Sequence, residues 1–73
     1  MLMYLKFVKP IKANSGLITD KSKPFIPDET KTYTAALLSN ETIVFYLDNI
    51  LVARIKESDF VKLIEDGTIY FLK

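Results

Sequence analysis

ETIVFYLDNILVARI, residues 41–55, decides the fold. Two apolar runs flank Asp48-Asn49, a turn-forming pair, which is the local pattern of a β-hairpin. The register of that hairpin fixes which side chains face the core. A two-residue loop at Asp48-Asn49 pairs Phe45 with Val52 and Val44 with Ala53, and leaves both faces apolar. A three-residue loop, Leu47-Asp48-Asn49, pairs Phe45 with Leu51 and Ile43 with Ala53. It sets Asn49 in the left-handed region, which Asn tolerates. Ile43, Phe45, Leu51, Ala53 and Ile55 then point inward, and Thr42, Val44, Tyr46, Ile50, Val52 and Arg54 point outward. The second register separates the faces better and is the one predicted, because a slip of one residue moves a whole side-chain set to the other face.

Downstream, Ser58 is a favourable N-cap, Asp59 sits where a helix dipole favours negative charge, and Phe60, Leu63 and Ile64 share one helical face. Gly67 suits the position just past a helix end. A helix of two to three turns is predicted over 58–66, then a strand over 68–72. Upstream, residues 3–12 alternate, with Met3, Leu5, Phe7 and Ile11 on one face and Tyr4, Lys6, Val8 and Lys12 on the other. Pro10 cannot donate to a ladder, so this strand is predicted at an edge or bent at Lys9-Pro10. Residues 13–30 form a long loop, in which Leu17-Ile18 and Phe25-Ile26 should tuck back onto the body. Residues 31–39 make a second strand, with Tyr33, Ala35 and Leu37 on one side.

The predicted fold is mainly β (α+β), with residues 1–73 as a single domain. It is either a five-stranded small SH3-like barrel or a curled antiparallel sheet with one short helix before the last strand. The element order, with a long first loop and a helix before the final strand, resembles that of SH3-like barrels. An oligonucleotide-binding barrel usually carries its helix earlier. The aromatic motif of SH3 domains that bind Pro-rich peptides is absent.

Composition narrows the chemistry. The 73 residues contain no Cys and no His, so disulfides and thiolate–imidazole metal sites are excluded. Nucleophilic catalysis lacks its usual base, and the two glycines form no phosphate-binding loop. No enzyme activity, cofactor or metal is expected. The N-terminal stretch has lysines interrupting its apolar residues, unlike a signal peptide, and nothing approaches a membrane span. A cytoplasmic protein with no membrane partner is expected.

Net charge is +1, with no global basic field. Residues 1–31 balance to +3 and residues 41–73 to −2. Two functions follow as expectations. The first is a non-catalytic protein-interaction module, of a size that suits a phage or mobile-element accessory protein. It would self-associate or dock a partner through Val44, Tyr46, Ile50 and Val52, which the predicted register leaves outside, with Tyr70 and Leu72 on the last strand. The second is a nucleic-acid-binding small barrel, using Lys6, Lys12, Lys21, Lys23 and Lys31 as a basic strip and Tyr4 and Phe25 as stacking surfaces.

Overall fold

The computed structural model describes residues 2–72. Five strands, β1 (Leu2–Phe7), β2 (Tyr33–Leu37), β3 (Thr42–Leu47), β4 (Ile50–Lys56) and β5 (Ile69–Leu72), form one antiparallel sheet. A helix, α1 (Glu57–Glu65), links β4 to β5. The strand order is β4-β3-β2-β1-β5, so β4 and β5 are the two edges and the sheet is not closed. The molecule has the predicted five antiparallel strands, with one short helix before the last of them, in a sheet that is not closed.

Alternation puts the core on one face. Leu5, Phe7, Tyr33, Ala35, Ile43, Phe45, Ala53, Ile55 and Ile69 are buried there, beneath Phe60 and Leu63 of α1 and Ile11 and Leu17 of the long loop. Rings run through it in contact: Phe25, Tyr33, Phe7, Phe45, Phe60 and Phe71 follow one another at centroid separations of 5.4–6.3 Å. Each fully buried large side chain contributes roughly 1.5–3 kcal/mol of apolar burial. The buried Tyr33 hydroxyl is satisfied, since the Asp28 N–H donates to it at 2.9 Å.

The hairpin departs from the predicted register. Leu47 pairs with Ile50 and Tyr46 with Leu51, so the loop is the two-residue Asp48-Asn49. Both residues have positive φ, 51° and 66°, the type I′ geometry whose twist matches the strands it joins. The pairing then shifts, and Phe45 faces Ala53, Ile43 faces Ile55. Val52 is the extra residue of a β-bulge. The bulge reconciles a tight turn with an apolar inner face. It keeps Ile43, Phe45, Ala53 and Ile55 inward, as predicted, but sends Leu51 outward.

Other boundaries also move. β1 ends at Phe7, before Lys9-Pro10, and lies between β2 and β5 rather than at an edge. β2 spans Tyr33–Leu37, shorter than the predicted 31–39. Helix α1 begins one residue early. Lys56 occupies the N-cap with extended backbone and no side-chain cap, and Ser58 lies inside the first turn. The C-terminus ends as the sequence implies: Gly67 has φ 79°, its N–H reaches the Ile64 carbonyl, and the Thr68 N–H reaches that of Leu63. This is the paired closure that a left-handed glycine permits. Lys9 adds a cation there, its Nζ donating to the Asp66 carbonyl at 2.6 Å.

The long loop is anchored. Leu17 and Pro27 are buried and Phe25 packs on the core, while Ile26 stays exposed. Ile18 and Arg54 exchange both backbone hydrogen bonds, at 3.0 and 2.8 Å, so the loop covers part of the β4 edge. Gly16, at φ 93°, lets the chain pass Asp59, whose Oδ2 would lie 2.6 Å from an added Cβ.

Candidate functional site on the open sheet face

The helix and the long loop supply the core of the inner face. The opposite face consists of the alternate residues of the same strands. Register aligns Leu72, Tyr4, Thr34, Tyr46 and Leu51 in one row across all five strands. Beside it run Leu2, Ala36, Val44 and Arg54 on one side, and Tyr70 opposite Lys6 on the other. Tyr4 is 53% exposed, Leu51 50% and Tyr70 60%. Leu2 is also exposed, and Tyr46 and Leu72 are half-buried. β-Strands alternate by construction, so an apolar outer set must be either covered or used.

Of the interaction residues predicted from sequence, Tyr46, Tyr70 and Leu72 lie on this face. Val44 and Val52 need correction, whereas Ile50 is exposed as expected. Val44 is 5% exposed and forms the floor between Ala36 and Arg54 rather than a contact surface. Val52 packs against the core because the bulge turns it inward. Ile50 is exposed, but pairs with Leu47 at the hairpin tip, one position out of phase with Tyr46 and Leu51. Leu2 and Leu51 are members of the patch that the sequence reading does not name, and Tyr4 joins it from the expected stacking surfaces. Tyr4 was already legible as the outer phase of β1, whereas Leu51 required the bulge to be known.

Charge on this face has one sign. Lys6, Arg54 and Lys56 fall in the outer phase of their strands, and no Asp or Glu does. The carboxylates sit in α1, the turns and the long loop. Among the described residues no three Asp or Glu converge as a metal site would require.

The predicted basic strip is not assembled. Lys6 is on β1. Lys21 and Lys23 lie in the loop segment whose Ile18 pairs with the outer side of β4, four strand spacings from β1, or roughly 19 Å along the sheet. Lys12 lines a depression beside α1 with Asp59 and Asp66, and Lys31 follows the turn at Asp28. Phe25 is half-buried against the core, its ring perpendicular to that of Tyr33 at a centroid separation of 6.2 Å.

The described residues contain no helix long and apolar enough to cross a membrane. No family model, curated protein or solved structure matches this chain.

Proposed function

We propose that the protein is a non-catalytic interaction module that docks a protein partner on its open sheet face. The observation that carries this reading is the row Leu72–Tyr4–Thr34–Tyr46–Leu51, apolar and aromatic on a rigid sheet, with the helix and loop packed on the other side. Exposed apolar surface of this kind marks binding sites, and tyrosine offers large contact area together with a hydroxyl. Lys6, Arg54 and Lys56 accompany the apolar residues, which suits a partner with an apolar centre and carboxylates around it. The element order shared with SH3-like barrels brings no binding motif, so the reading rests on this face alone.

A photo-crosslinking residue at Tyr46 or Tyr4, expressed in the native host, tests it. Adducts to a protein should form from these positions and not from exposed Glu65 on α1. Equal labelling from Glu65, or none from Tyr46 and Tyr4, overturns it.

One observation favours a second reading. Three tyrosines and three cations share a face on which the strands place no carboxylate. Such a sheet is suited to stacking the bases of a single-stranded nucleic acid. This keeps Lys6 and Tyr4 from the predicted set and replaces the rest. Fluorescence polarisation with single-stranded DNA and RNA separates the two: salt-sensitive binding lost in Tyr4→Ala supports the nucleic acid, and no binding at high micromolar protein removes it.

A further inference from the structure

Arg54 is the chain's only arginine, and the structure fixes it at both ends. Its backbone lies opposite Val44 on β3. On the other side its N–H and C=O bond Ile18 of the long loop, at 2.8 and 3.0 Å. Its side chain is half-buried, and Nη2 donates to the Ser22 hydroxyl at 3.4 Å. Among the described residues, that is the one side-chain to side-chain hydrogen bond between distant parts of the chain. Lys6 and Lys56, the other cations of the open face, have no such partner among the described residues.

No carboxylate answers the charge of Arg54. The ion pair found among the described residues joins Lys62 to Asp59 on α1. A guanidinium presents five N–H donors in a planar fork that fits a carboxylate through two parallel bonds. Here its side chain makes one long bond to a neutral hydroxyl. An arginine held in place before binding loses little freedom when it meets a partner. The apolar row begins beside it, at Val44 and Ala36, and water excluded there strengthens a charged bond. Arginine next to exposed tyrosines is the composition of a binding anchor.

We propose that Arg54 is the anchor of the open face and takes a carboxylate of the partner, with Ser22 as its positioning residue. The partner is then an acidic protein segment whose Asp or Glu stands beside apolar side chains. This rests on the docking reading above and adds the group that selects the partner. A phosphate fits the same fork. A nucleic-acid strand laid along the tyrosines, however, meets no cation between Arg54 and Lys6, three strand spacings or roughly 14 Å apart. The charge pattern therefore favours one carboxylate at one end of an apolar contact over a run of phosphates.

Random peptides displayed on phage and selected on the immobilised protein are the probe. The enriched sequences should carry Asp or Glu next to apolar residues. By fluorescence polarisation, the tightest of them should bind Arg54→Lys about tenfold more weakly than the parent, because an ammonium replaces the fork with a point contact. Exchanging the peptide's carboxylate for the amide should cost about the same in the parent and little more in Arg54→Lys. That exchange alters the probe alone, so it decides the matter even for an Arg54→Lys that does not fold. Ser22→Ala should weaken binding about threefold, whereas Ser22→Thr, which keeps the hydroxyl, should bind as the parent does. Peptides without acidic enrichment, or no loss in both the amide peptide and a folded Arg54→Lys, overturn the proposal. Single-stranded DNA that binds in place of acidic peptides, and is lost in Arg54→Lys, assigns the fork to a phosphate and overturns it too. Crosslinking from Tyr46 that persists in folded Arg54→Lys leaves the docking face standing without this anchor. Its absence in the parent removes the face, and the proposal with it.

Discussion

Asp66 ties three parts of the chain together at the end of α1. Its Oδ1 accepts hydrogen bonds from the Thr68 N–H and hydroxyl, while its carbonyl accepts from Lys9. The Thr68 hydroxyl bond is the main influence holding the Asp66 carboxyl below the usual carboxylate range. Partial desolvation opposes it, and the Thr68 N–H and the Lys9 charge reinforce it. Asp28 is lowered in the same way, first by the Thr30 hydroxyl and then by its N–H. A folded-state value below the unfolded one means stabilisation that is present above the unfolded aspartate value, about 4, and lost as pH falls through the folded value. Thr68→Val removes the dominant bond. In that variant the Asp66 carboxyl, followed by NMR titration, should titrate at higher pH than in the parent. Its urea midpoint should also converge on the parent's as pH drops below about 4. An unchanged Asp66 titration would show that the hydroxyl is not the cause. The sequence shows Asp66 and Gly67 as a helix end. The Thr68 bond was not legible, because it exists only after Gly67 reverses the chain.

At the scale of the element, the start of α1 separates sequence pattern from geometry. Ser58-Asp59 reads as a cap followed by a first-turn acid, yet β4 runs directly into the helix and leaves Lys56 as the N-cap, with φ −69° and ψ 145°. Strand pairing with Thr42 holds Lys56 extended, so the sheet and not the side chain sets where the helix begins. Ser58→Ala should therefore change stability by less than about 0.5 kcal/mol, whereas Lys56→Ser should add about 0.5–1 kcal/mol by supplying the missing side-chain acceptor. Urea denaturation of the two variants checks this, and a loss of a full kcal/mol in Ser58→Ala would restore Ser58 as the cap. The hairpin teaches a related lesson. Its location was legible from Asp48-Asn49 and its core set from alternation. The bulge was not, because both a three-residue loop and a type I′ turn followed by a bulge bring Ile43 and Phe45 inward, and local sequence does not choose between them.

At the scale of the molecule, the question is which apolar residues hold the sheet together and which are free to bind. The inner phase of every strand joins one core with α1 and the long loop, and its membership followed largely from period-two reading. The outer phase divides. Val44 lies buried between Ala36 and Arg54 at the centre of the sheet, while Tyr4 and Leu51 occupy the same face half exposed. Exposure of this kind makes Tyr4 and Leu51 weak contributors to folding, since surface substitutions usually stay within about 0.5 kcal/mol. Tyr4→Lys and Leu51→Lys should each melt close to the parent and keep its circular dichroism, whereas Val44→Ala should cost on the order of 2 kcal/mol through a lost buried contact. The same pair of lysine substitutions, combined, adds two charges to the row that the proposed partner covers. Crosslinking from Tyr46 should then fall at least tenfold while stability is retained. A double variant that is folded and still crosslinks at the parent's level would take the face out of the binding site, whereas one that unfolds would show that Tyr4 and Leu51 belong to the structural core.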